Sequence, residues 1–208
     1  MSNTASGRLV CYVHGKGGSA SERANYAPLF PGCAVIGLTY RGATPWETGR
    51  EIREAMRRWR ERYAEIVLIA NSIGAYFSMN AGIGAMLREA YFISPIVDME
   101  RLIGDMMGWS HVTEAELQAR GVIQTKFGEE LSWDYLRYVR SHPIEWDVPT
   151  HILYGENDSL TPPEVVRRFA ARHGADLTVM RGGEHWFRTE AQMRVVDDWI
   201  RGSAAPGG

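Results

Sequence analysis

Three side chains of the kinds that carry out acyl transfer stand in settings that suit them: Ser72, Asp158 and His185. The apolar run from Ile66 to Ala70 leads through Asn71 directly into Ser72, and a helical pattern follows at Ile73, Tyr76, Phe77, Asn80 and Leu87. A serine on so sharp a strand-to-helix turn projects its hydroxyl from the end of a sheet, provided the residues two before and two after it are small. Ala70 and Gly74 meet that condition. Taken alone, the same residues also describe a serine that only caps a helix.

His185 lies in the glycine-containing segment Arg181-Gly182-Gly183-Glu184-His185-Trp186-Phe187, just after a strand-like run. An imidazole can take a proton from a hydroxyl and later return it to a leaving group. Asp158 follows another such run in Tyr154-Gly155-Glu156-Asn157-Asp158, a placement that suits a carboxylate orienting a histidine, although an aspartate there can equally form a turn. Glu156 is a weaker candidate for the same task. Among the other histidines, His151 sits within a strand and is expected in the core, and His173 ends a helix, where a cation is favoured. His111 and His142 fall in a helical stretch. The first strand-like run ends in Val13-His14-Gly15-Lys16-Gly17-Gly18-Ser19. Such a loop can bring backbone N–H groups to the oxyanion that acyl hydrolysis develops. It is a poor phosphate loop, lacking the upstream glycine and the hydroxyl residue after the lysine.

These motifs resemble those of the α/β-hydrolase superfamily, in the order Ser, Asp, His and over residues 8 to about 200. The elbow departs from the G-x-S-x-G pattern only in having Ala70 at the first glycine. The resemblance implies Ser72 as nucleophile, His185 as base, Asp158 as its acid, and the N–H groups of Lys16 and Ile73 as the oxyanion hole. It makes Asp98 the runner-up acid, and gives His14 the task of bracing the loop. It also implies a minimal version of the fold that starts at the family's third strand.

The elements that must position these residues alternate between short apolar runs and helical patterns, as in βαβ units with a parallel sheet. Strands are predicted at 9–13, 34–38, 66–70, 90–93, 151–154 and 177–180, mostly apolar on both faces as helix-covered parallel strands are. Capping boxes mark helix starts at Ser19/Glu22, Thr44/Glu47, Thr113/Glu116, Thr161/Glu164 and Thr189/Gln192. Pro45 stands at the favoured first position of the second of these, and Gly121 can end the third. Between about 97 and 147 helical segments are predicted at 99–107, 114–120 and 133–141, with no strand, so the stretch reads as an all-helical lid. The expected fold class is α/β: one domain over 1–208, with a six-stranded, mainly parallel sheet flanked by helices, the lid inserted, and a disordered tail at about 202–208.

Composition narrows the function. The chain has 208 residues, 45% hydrophobic and 23% charged, with a formal charge of -2. That balance excludes a basic nucleic-acid surface, and the arginine-rich stretch around Arg57–Arg62 alternates with acids as a solvated helix face does. Two cysteines make no disulfide framework, no segment is apolar enough for a membrane span, and the start has no signal-peptide core, so a cytoplasmic enzyme is expected. No Cys/His cluster has metal-ligand spacing, and no cofactor is implied. Met106, Trp109, Trp133 and Tyr138 of the lid are the expected substrate-binding residues, and an apolar pocket is expected with them. The expected function is a serine hydrolase, most simply a carboxylesterase, acting on a small-molecule acyl substrate. Peptidase, thioesterase, acyltransferase, carbon–carbon hydrolase and a non-catalytic ligand-binding member share the fold, and the oligomeric state is not legible.

Overall fold

The computed structural model of the chain describes residues 7–203. Residues 1–6 and 204–208, which hold the start read for targeting signals and most of the expected tail, lie outside the described residues. Gly202 and Ser203, expected in that tail, instead continue the last helix.

Among the described residues the elements are β1 (Arg8–Val13), α1 (Arg23–Tyr26), β2 (Ala34–Leu38), α2 (Pro45–Arg60), β3 (Glu65–Asn71), α3 (Ile73–Asn80), β4 (Glu89–Ile93), α4 (Met99–Trp109), α5 (Glu114–Arg120), β5 (Val122–Gln124), β6 (Glu130–Ser132), α6 (Trp133–Ser141), β7 (Thr150–Gly155), α7 (Pro163–His173), β8 (Asp176–Met180) and α8 (Glu190–Ser203). They form two compact units: an α/β unit of residues 7–97 with 145–203, and a smaller one, Asp98–Ile144. No helix among the described residues is long and apolar enough to cross a membrane.

The α/β unit holds one six-stranded sheet in the order β2-β1-β3-β4-β7-β8, parallel throughout. Its strands are those predicted, each within a residue at either end. The inner strands β1, β3, β4 and β7 are buried along nearly their whole length, as apolar strands covered on both faces are, whereas the edge strands β2 and β8 are largely half-buried or exposed. The register aligns Ile69 with Tyr91, Ile93 with Leu153, and Val10 with Val67. These side chains form one face, covered by Tyr26, Leu29 and Phe30 and by Val196, Trp199 and Ile200 of α8. On the other side α3 packs on β1 and β3, and α2 packs on α3. Burying one Val, Leu, Ile or Phe contributes about 1.5–3 kcal/mol. The sheet is therefore the rigid frame, and the loops at its carboxyl edge are held by it.

The predicted helix starts hold at Thr44, Thr113 and Thr189, whose hydroxyls accept from the backbone N–H three residues on. Ser19 and Glu22 form their capping box over a 3-10 turn that leads into α1. Thr161 does not cap α7: the helix starts at Pro163 behind Pro162, and the buried Thr161 hydroxyl bonds the Pro95 carbonyl.

The smaller unit is not all helical. Besides α4, α5 and α6 it contains the antiparallel hairpin β5–β6. Its loop is fixed by Thr125, whose N–H and hydroxyl both bond the Glu129 carbonyl, with Gly128 at φ +86°. Each strand has only three residues and one inward side chain, Ile123 or Leu131, too few to display an alternating pattern. Arg140 on α6 forks onto Glu114 and also reaches Glu100, joining three parts of this unit.

Candidate active site

Ser72 stands between β3 and α3 with φ 51° and ψ -121°, a backbone shape costly for any residue with a side chain. The surroundings enforce it. The Ser72 N–H donates to the Ile93 carbonyl at the end of β4, and its own carbonyl accepts from Ala75 and Ile96. Gly74 lets α3 start flush against β1: a Cβ there would stand 2.4 Å from the His14 carbonyl oxygen and 2.7 Å from that of Val13.

The His185 loop and the Asp158 loop are stitched together. Asn157 N–H donates to the Gly183 carbonyl at 2.7 Å, Glu156 N–H to the Met180 carbonyl, and Gly182 N–H to Glu156 Oε2 at 2.8 Å. Gly155 makes the approach possible, since a Cβ there would fall 2.5 Å from the Glu184 carbonyl oxygen. Glu156, a minor candidate for the acid, is thus the clamp between the loops.

From these loops a continuous chain of hydrogen bonds forms. Ser72 Oγ lies 2.9 Å from His185 Nε2, and His185 Nδ1 lies 2.7 Å from Asp158 Oδ2. The other Asp158 oxygen accepts from the N–H groups of Leu160 and Thr161. The carboxylate is therefore fixed by three donors. All three side chains are buried, and the indole of Trp186 meets the His185 ring edge to face at 4.8 Å. Asp98, the runner-up acid, instead caps α4 by accepting from Arg101 N–H. His14 bonds the Gly15 carbonyl through Nδ1 and stacks on Tyr40, whose hydroxyl donates to the His14 carbonyl; together they set the glycine-rich loop. His151 lies on β7 beside Asp176 and only partly buried, rather than in the core.

A cavity of about 260 Å³ opens beside Ser72 and His185, small for a ligand site. Lys16 borders it, and Ile73 is the first residue of α3, where an N–H has no carbonyl partner within the helix. Met106 and Trp109 lie on α4, and Trp133 and Tyr138 on α6, all in the smaller unit; the cavity is lined by other residues. Its walls include Ile93, Phe187, Met193 and Val196, but also Tyr26, Asn71 and Arg188, none of which sequence reasoning had placed there. Arg188 lies over the Trp186 ring at 4.9 Å. Among the described residues no cluster of His, Cys, Asp or Glu could hold a metal ion.

No protein-family model and no curated protein matches the sequence. Solved structures do match its fold. Est1E from Butyrivibrio proteoclasticus, also solved with ferulic acid bound, superposes with a TM-score of 0.79 at 16% identity, over 97% of this chain and 88% of that one. Alpha/beta hydrolase domain-containing protein 10 from mouse gives 0.71 at 16% identity, over 94% and 89%. An esterase from Pyrococcus furiosus gives 0.61 at 16%, over 96% and 83%. The chain has the α/β-hydrolase fold.

Proposed function

We propose that the protein is a serine hydrolase that cleaves a small carboxylic ester through an acyl-enzyme on Ser72. The observation that carries this reading is the buried relay from Asp158 through His185 to Ser72. In that geometry Asp158 fixes the imidazole with its proton on Nδ1, leaving Nε2 to accept the Ser72 proton as Oγ attacks the carbonyl carbon. The N–H groups of Lys16 and Ile73 hold the oxyanion. The imidazolium then gives its proton to the departing alcohol. Water, deprotonated by the same nitrogen, attacks the ester carbonyl of the acyl-enzyme and releases the acid, restoring Ser72. General base action contributes about 10²–10⁴ in rate, and each oxyanion donor about 10²–10³.

The strained backbone at Ser72 supports the reading, because a serine that merely capped α3 would need no such conformation, and its side chain makes no capping bond. Hydrolysis of p-nitrophenyl esters from acetate to decanoate, in wild type and Ser72→Ala, tests it. Turnover abolished by the substitution supports the nucleophile, and equal rates in both proteins reject it.

A further inference from the structure

The wall of the cavity next to Ser72 is more polar than an alkyl ester requires. Tyr12, fully buried on β1, donates its hydroxyl to Glu22 Oε2 at 2.5 Å. The other Glu22 oxygen accepts from Ser19 N–H. Asn71, the residue before Ser72, uses its amide NH₂ on both tyrosines, with Nδ2 3.0 Å from Tyr12 Oη and 3.5 Å from Tyr26 Oη.

Counting donors and acceptors leaves two groups unspent. Asn71 Oδ1 is buried with no hydrogen-bond partner among the described residues. The Tyr26 oxygen accepts from Asn71, but its own hydrogen reaches no acceptor in the hydrogen bonds of the described residues. Burial pushes the Tyr26 phenol up to about 12, so it keeps that hydrogen at any working pH. Tyr26 and Asn71 both line the cavity. Asn71 Oδ1 is buried as the site stands, so a ligand reaches it as the soft last torsion of the asparagine turns; that turn loosens the Nδ2 bonds to Tyr12 and Tyr26, a cost that the ligand's own bonds to Tyr26 and Asn71 offset.

An unspent donor beside an unspent acceptor matches a group that both accepts and donates. We infer that the cavity binds a substrate group bearing a hydroxyl, which accepts from Tyr26 Oη and donates to Asn71 Oδ1 while its carbon skeleton packs on Ile93, Phe187 and Val196. The inference rests on the serine hydrolase reading and specifies the substrate class of that site. It adds a polar contact to the apolar pocket expected from the sequence. A methyl group in place of the hydroxyl leaves both protein groups unsatisfied, and a site built to bond a hydroxyl discriminates strongly against such an isostere.

The test compares kcat/KM for two matched pairs of esters, each differing only by hydroxyl against methyl. For the acyl side the pair is p-nitrophenyl β-hydroxybutyrate and p-nitrophenyl isovalerate. For the alcohol side it is the primary butyrate ester of propylene glycol and isobutyl butyrate. Wild type is expected to prefer the hydroxyl member of one pair by about tenfold or more, the worth of one well-made hydrogen bond, and the pair that responds shows which side occupies the cavity. Tyr26→Phe and Asn71→Leu are expected to bring that ratio close to one, chiefly through KM. The ratio is read within each protein, so a general loss of activity cancels, and Tyr26→Phe serves if Asn71→Leu does not fold. Turnover of the methyl esters with no hydroxyl preference in either pair, or a preference that survives Tyr26→Phe, overturns the inference and leaves the serine hydrolase reading standing. No turnover of any ester overturns the inference, and Ser72 inert to a fluorophosphonate as well overturns both.

Discussion

His185 Nδ1 stands 2.7 Å from Asp158 Oδ2, with both side chains sealed from solvent. A carboxylate held by three N–H donors cannot rotate away, so the imidazole is locked in the orientation that offers Nε2 to Ser72. Asp158→Asn keeps the shape but can present an NH₂ where an acceptor is needed, favouring the wrong tautomer. We expect kcat to fall by about 10³–10⁴ with the fold intact, as read by ester hydrolysis alongside near-UV circular dichroism.

Glu156 acts at one remove. Its carboxylate holds Gly182 N–H, three residues ahead of His185. Glu156→Ala removes that clamp while the two backbone bonds between the loops persist. A small loss of alignment at a reacting group costs up to about 100-fold, so a fall of about tenfold in kcat is expected. KM should change little, and Glu156→Gln, which keeps an acceptor oxygen, should recover much of the loss. A change confined to KM would argue against the clamp.

Gly74→Ala forces a methyl onto the Val13 and His14 carbonyl oxygens, which belong to a strand end and cannot both retreat. Overpacking of this kind costs about 1–3 kcal/mol. The urea midpoint should drop accordingly, and activity should fall as well, because the elbow and the glycine-rich loop are displaced together.

At the opposite edge of the sheet, Glu65 pairs with Arg8 and Arg88, and its hydrogen bond with Arg8 is the main cause holding its carboxyl below the usual range. A carboxyl lowered in the folded state contributes stability that is present above its unfolded value and lost as pH falls through the folded one. Glu65→Gln should therefore lower Tm slightly at pH 7, only slightly because the pair is partly exposed and screened. The difference should shrink as pH falls from about 4.5 and vanish well below it. Thermal melts of both proteins across that range check the sign.

The frame of this molecule is legible in its sequence because parallel strands covered on both sides are apolar throughout, and the runs at Leu9, Ile66 and Ile152 are short, rich in Val, Ile and aromatic residues, and alternate with capped helical patterns. Capping at Thr44, Thr113 and Thr189 is equally local: donor, acceptor and spacing lie within four residues. Ser72, Asp158 and His185 could be named because each follows a recognisable strand. The wall of the cavity could not. Tyr26 carries no motif, Glu22 figures only as a capping residue and Asn71 only as the link into Ser72; only the sheet register brings Tyr12 and Asn71, 59 residues apart, into one hydrogen-bonded group behind that wall. A polar residue closing an apolar strand just before the elbow was the available signal. The β5–β6 hairpin escaped for a different reason, since three-residue strands are defined by the Thr125–Gly128 turn rather than by any periodicity.

The most direct measurement is intact-protein mass spectrometry of wild type and Ser72→Ala after exposure to a fluorophosphonate, with the site mapped by peptide digestion. The account predicts a single adduct on Ser72 in the folded wild type and none in the variant. An unmodified wild type, or the same adduct in both proteins, would contradict it.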